Sequence, residues 1–160
     1  MKHTISVVVE NKPGVLSRVA NLFARRSFNI ESLAVGVTEN PEISRMTIVV
    51  AGDEKTLEQI TKQLYKLIDV LRVYDLPQDK AVDREMVLIK VGASEKTRQE
   101  ITQIVDIFRG RIVDVADTSL TIELTGDEGK IIGAEKLLAK YGIKELVRTG
   151  KIALQRGSAE

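Results

Sequence analysis

Ile5-Ser6-Val7-Val8-Val9-Glu10-Asn11-Lys12-Pro13-Gly14-Val15-Leu16-Ser17-Arg18-Val19 changes its apolar period part-way along. Ile5, Val7 and Val9 alternate with Ser6, Val8 and Glu10, which predicts a strand with one well-buried face. Asn11-Lys12-Pro13-Gly14 breaks that alternation. Beyond the break, Val15, Val19, Leu22 and Phe23, with Leu16 and Ala20 beside them, recur at helical spacing up to Arg26.

The elements downstream continue the same order. Ile30 to Val37 reads as a second strand, and Asn40-Pro41 as a turn. Met46, Ile48 and Val50 alternate in a third strand. Asp53 and Glu54 stand where a helix N-terminus favours negative charge, and Leu57, Ile60, Leu64, Leu67 and Ile68 form the apolar stripe that follows. Val70 to Asp75 is a fourth strand, ended by Leu76-Pro77. Residues 78–83 are polar and without period, which predicts a linker.

The second half repeats the pattern. Met86 to Val91 reads as a strand, with Ser94 as an N-cap. Ile101, Ile104, Val105 and Phe108 fall at i, i+3, i+4 and i+7 of a helix. Ile112 to Val115 and Leu120 to Leu124 are strands joined near Asp117-Thr118. Thr125-Gly126-Asp127-Glu128 has the form of a capping box, ahead of a helix carrying Ile131, Ala134, Leu137, Leu138 and Tyr141. Ile143 to Arg148 is the last full strand, and Ile152 to Leu154 extends it after Gly150.

The expected fold class is therefore α+β, with two ferredoxin-like βαββαβ units. The expected boundaries are 1–77, a linker at 78–83, a C-terminal domain at 84–157 and a tail at 158–160. Each unit is small enough for its core to be marginal, and one sheet face of each has no cover of its own. Both points predict that the units pack together or that the chain dimerises.

Composition narrows the function. Hydrophobic residues make up 43% and charged residues 29%, a globular balance. Lys plus Arg is 24 against 23 for Asp plus Glu, so the net charge of +1 gives no overall attraction to nucleic acid or anionic lipid. Aromatic residues, at 4%, are too few for a base-stacking platform. Cysteine is absent, which excludes disulfides and thiol chemistry and fits a reducing cytoplasm. The N-terminus runs directly into a strand-like segment and not a signal peptide, and no apolar run approaches the ~20 residues of a membrane span.

Few residues suggest chemistry. His3 is the only histidine, so neither a zinc site nor a Cys-His pair can be built on it. No G-x-S-x-G elbow supports a serine triad. Gly126-Asp127-Glu128-Gly129-Lys130 has the wrong spacing for a phosphate loop. No metal site and no catalytic residue are expected. Asn11-Lys12-Pro13-Gly14-Val15-Leu16 is the sharpest feature. A helix N-terminus presents unpaired N–H groups and the positive end of the helix dipole, which hold carboxylate or phosphate. Gly14 permits close approach to the backbone, Pro13 stiffens the helix entry, and Asn11 offers both a donor and an acceptor. The same residues also read as an ordinary strand-to-helix turn.

The stretch from Val9 to Val37, through Asn11 to Leu16 and then Phe28-Asn29-Ile30-Glu31-Ser32-Leu33, resembles an ACT domain, the βαββαβ module that senses amino acids. Arg84-Glu85-Met86, Leu88-Ile89-Lys90-Val91, Phe108-Arg109-Gly110 and Arg148-Thr149-Gly150-Lys151-Ile152-Ala153-Leu154 extend the likeness. From Thr4 to Gly157 the chain resembles the small regulatory subunits of acetolactate synthase (acetohydroxyacid synthase). The resemblance implies a non-catalytic subunit of branched-chain amino acid biosynthesis (valine, leucine and isoleucine). Its partner would be the large catalytic subunit, a thiamine diphosphate-dependent transferase that carries thiamine diphosphate, FAD and magnesium. The small subunit would activate it and confer feedback inhibition by valine. The resemblance also implies a homodimer through the ACT domains with the effector at the interface. Asn11, Lys12, Pro13, Gly14, Val15 and Leu16 of one protomer would then face Asn29 and Ile30 of the other. Two other readings are an ACT module acting on a different partner and an enzyme on a ferredoxin-like fold. No helix-turn-helix or basic stripe supports the first, and the missing Cys and single His argue against the second.

Overall fold

The computed structural model describes residues 1–157, so the expected tail at 158–160 lies outside the described residues. Two compact units are present. The first is Met1–Val82 together with the chain from Lys151 on, and the second is Asp83–Gly150.

In the first unit, β1 (Lys2–Glu10), β2 (Ile30–Val37), β3 (Ile43–Ala51) and β4 (Val70–Asp75) form an antiparallel sheet in the order β2-β3-β1-β4. Helices α1 (Val15–Arg25) and α2 (Glu54–Tyr65) supply Val15, Val19, Phe23, Leu57, Ile60 and Leu64 to its core. They meet Ile5, Val7 and Val9 of β1 and Met46, Ile48 and Val50 of β3, the alternate residues that the sequence pattern singles out. The second unit repeats the arrangement. It contains β5 (Ala81–Gly92) from Asp83 on, α3 (Arg98–Ile107), β6 (Arg111–Val115), β7 (Ser119–Gly126), α4 (Glu128–Leu138) and β8 (Ile143–Arg148), with sheet order β6-β7-β5-β8. Its core is built on Val87, Ile89 and Val91 against Ile101, Val105, Ile131 and Leu138. The α+β class and the two βαββαβ units are as expected from sequence.

Several local expectations are corrected. Within the expected linker, residues 78–80 form a single 3₁₀ turn and β5 begins at Ala81. Ala81 is buried with Leu76 and Ala153, so short apolar side chains order a stretch whose composition is polar. The last strand, β9 (Ile152–Gln155), does not prolong β8. It pairs with β5, and the Arg156 N–H donates to the Lys80 carbonyl at 2.8 Å. The Lys151 N–H also donates to Ser32 Oγ at 3.0 Å, on the sheet face away from the helices. By their contacts, residues from Lys151 on group with the first unit. On that same face Ser6, Thr47 and Val49 are buried.

Two cap assignments also change. Thr125 is still in β7, opposite Met86, and Asp127 is the N-cap of α4, accepting from the Lys130 N–H at 2.9 Å. Sheet pairing claims Thr125 and pushes the helix start beyond it. Ser94 does not cap α3; its carbonyl accepts from Thr97 and Arg98 in a turn ahead of the helix. Ile68 follows the end of α2 and is 91% exposed, so the apolar stripe stops at Leu67. No helix among the described residues is long and apolar enough to cross a membrane.

Candidate functional site

The chain leaves β1 at Glu10 and enters α1 at Val15, and the intervening turn is exposed. Its backbone is held from the β2–β3 connection. The Asn11 N–H donates to the Glu42 carbonyl at 2.7 Å, and Asn11 Nδ2 donates to the Pro41 carbonyl at 2.9 Å. Lys12 pairs with Glu10 at 2.9 Å, and that hydrogen bond raises the Lys12 pKa above its ordinary value. Gly14 is the residue before α1 and has φ +84°, the left-handed region where a side chain is strained. Val15 turns its side chain into the core, so only its backbone faces the turn, whereas Leu16 is 45% exposed.

The start of α1 is electrostatically open. No side chain caps it and no acidic residue lies in its first turn. By contrast, α2 is closed by Asp53, whose carboxylate accepts from Thr56, and α4 is closed by Asp127. Arg18, one turn into α1, is a residue the sequence reading missed. A Cβ placed on Gly14 would lie 3.1 Å from Arg18 Nη1, so the guanidinium borders the turn. Asp69 holds it through Nε at 2.8 Å. The signal was its position four residues after Gly14, on the same side of the helix.

Asn29 and Ile30 are elsewhere in this protomer. Ile30 opens β2 opposite Val50, at the end of the sheet where Lys2 faces Ala51. The turn after Glu10 lies at the other end, where Glu10 faces Ile43. Eight residue steps of strand separate the two ends, about 25 Å. The eight expected site residues are therefore not brought together within one chain. β2 is an edge strand with β3 on one side only, and it exposes Val35 and Val37.

Two family descriptions match the chain: an AHAS small subunit-like ACT domain over residues 5–72 and the small subunit of acetolactate synthase over residues 84–157. The chain belongs to the acetolactate synthase small subunit family. A probable acetolactate synthase small subunit of Archaeoglobus fulgidus is 57% identical over 99% of both chains. The acetolactate synthase small subunit of Mycobacterium leprae is 52% identical over 97% of this chain and 92% of its own. The crystal structure of the acetolactate synthase small subunit from Thermotoga maritima superposes with a TM-score of 0.91 at 46% identity, covering 99% of each chain. The first unit is thus the ACT domain of this small-subunit family, and the Asn11–Leu16 turn is its strand-to-helix loop.

Proposed function

We propose that the chain is a regulatory subunit without catalytic activity that activates the catalytic subunit of acetolactate synthase and confers feedback inhibition by valine. The observation that supports this reading is the N-terminus of α1 behind Gly14, which has neither a side-chain cap nor an acidic residue in its first turn, whereas α2 and α4 are closed by aspartates and the uncapped α3 carries Glu100 in its first turn. A free amino acid supplies the missing anion with its carboxylate. The chemistry itself, with thiamine diphosphate, FAD and magnesium, belongs to the catalytic partner in the cytoplasm.

A second copy completes the site. Antiparallel pairing of two β2 edges about a two-fold axis covers Val35 and Val37 and leaves no open edge between them. The same operation sets the Asn29 end of one β2 beside the Val37 end of the other, next to the Asn11–Leu16 turn. Asn11 and Asn29 then offer polar groups to the ammonium and carboxylate, and Leu16 and Ile30 wall the side chain. Burying a valine side chain is worth ~1.5–3 kcal/mol. One extra methylene changes affinity by only ~1–3 kcal/mol, so discrimination against leucine or isoleucine is modest. An effector bridging two protomers favours one dimer geometry, and it shifts the catalytic partner by its differential affinity for the two states.

Calorimetric titration with valine, of the wild type and of Gly14→Asp, tests this reading. Binding by the wild type and none by the folded variant supports it. Equal binding by both removes Gly14 from the site. No binding by the chain alone or reconstituted with the catalytic subunit overturns valine as the effector.

A further inference from the structure

The exposed side of α1 carries Arg18, Asn21, Leu22, Arg25 and Arg26 at i, i+3, i+4, i+7 and i+8, one continuous stripe. α1 contains no acidic residue to balance it. Across from it, the end of α2 presents Gln63, Lys66 and Leu67, and the two stripes enclose a depression of about 280 Å³. Four cations line the depression and no carboxylate does. Leu22 and Leu67 pack on the core and form its floor.

The cations differ in how they are held. Arg18 is anchored by Asp69, and Arg26 Nη2 donates to Gln63 Oε1 at 2.9 Å. Both guanidinia are thereby oriented; Arg18 has a carboxylate partner, whereas the Gln63 amide leaves the charge of Arg26 unbalanced. Arg25 and Lys66 make no ion pair or hydrogen bond among the described side-chain contacts. Lys62 and Lys90, by contrast, are each matched by a glutamate, Glu58 and Glu145. Arg25, Arg26 and Lys66 are gathered there without a carboxylate partner; like charges so placed disfavour the fold, and they are relieved by a multiply charged anion. Guanidinium forks match phosphate oxygens, an ammonium adds a point charge, and the Asn21 amide offers further hydrogen bonds.

We propose that the groove between α1 and α2 is a binding site for a small phosphorylated anion, separate from the amino-acid site at the Asn11–Leu16 turn. The concave shape, two pre-oriented guanidinia and two unpaired cations suit a compact ligand with two or more negative charges.

The test uses the full chain at low ionic strength, titrated with pyrophosphate by calorimetry. Arg25→Ala/Lys66→Ala removes the two unpaired cations. Lys96→Ala/Lys136→Ala, on exposed positions of the second unit, removes the same charge elsewhere. The wild type and the control bind pyrophosphate, and the groove variant loses roughly tenfold in affinity for each cation removed. Thermal melts establish that all three chains are folded. Two results overturn the proposal: no binding by the wild type at millimolar pyrophosphate, or an equal loss in the control and groove variants. A parallel valine titration of the groove variant separates this site from the amino-acid site, since its valine affinity stays at the wild-type value.

Discussion

Arg18 reaches one oxygen of Asp69 with two nitrogens, Nε at 2.8 Å and Nη2 at 2.6 Å from Oδ2. The Asp69 side chain is 9% exposed and that of Arg18 is 48% exposed, so the carboxylate is enclosed while the guanidinium remains half in solvent. The Asp69 carbonyl also accepts from the Glu10 N–H at 2.9 Å. One residue therefore ties the exit of α2 to the end of β1 and to the first turns of α1, the two elements that flank the Gly14 turn.

Asp69→Asn keeps the size of the side chain and removes its charge. Solvent screens the exposed half of the pair, so the expected loss of stability is about 1 kcal/mol, below the full value of a buried charged hydrogen bond. Urea denaturation of the two proteins measures it. An unchanged midpoint would mean that the pair contributes nothing.

Gly14→Ala tests the backbone of the turn without adding charge. Its φ of +84° places the new Cβ in the left-handed region, 3.1 Å from Arg18 Nη1. The expected cost is about 1–2 kcal/mol, read as a lower thermal midpoint. A variant as stable as the wild type would show that the turn relaxes freely.

Val35→Lys places a charge on the edge of β2, at a side chain already 46% exposed. The protomer is expected to fold normally, because that position is outside the buried core. Dimerisation through β2 is expected to fail, since a buried unpaired charge is costly at an interface. Sedimentation velocity at matched concentrations distinguishes monomer from dimer, and an unaltered dimer would place the interface elsewhere.

Phe23 is 1% exposed and meets Phe28 edge-to-face at 6.1 Å between ring centres. Phe23→Ala removes that contact and opens a cavity under α1, at an expected cost of about 3–5 kcal/mol. Denaturant titration reads the loss directly; a cost under 1 kcal/mol would be inconsistent with a tightly packed first core.

Acid should weaken the start of α2. The Thr56 N–H and hydroxyl both donate to Asp53 and hold its pKa below the ordinary value of 3.8. A carboxylate with a lowered folded-state pKa stabilises the fold above its unfolded value, and that contribution disappears as pH falls through the folded value. The melting gap between wild type and Asp53→Ala is therefore expected to be widest near neutral pH and to narrow in acid. A gap independent of pH would exclude the ionised carboxylate as its source.

The order of elements was legible in the sequence because alternation and helical spacing are local properties. Ile5, Val7 and Val9 declare their strand, and Val15, Val19 and Phe23 their helix, whatever lies around them. The Gly14 turn was legible for the same reason, since Pro-Gly between two opposite periods marks a turn by itself. The tertiary structure alone decided the rest. Thr125 resembles a cap until pairing with Met86 draws it into β7, and the capping passes to Asp127. Ala81 and Ala153 have too little side chain to declare a core, yet they are buried together with Leu76 and bring the last strand back to the first unit. The α1 stripe of Arg18, Arg25 and Arg26 vanishes in a net charge of +1 and emerges only where Lys66, just past α2, joins it in a groove that no carboxylate lines. Composition averages charge over the chain, and periodicity sees one element at a time. Partners across a sheet, and the charges gathered in one groove, depend on residues distant in sequence, and only folding brings those together.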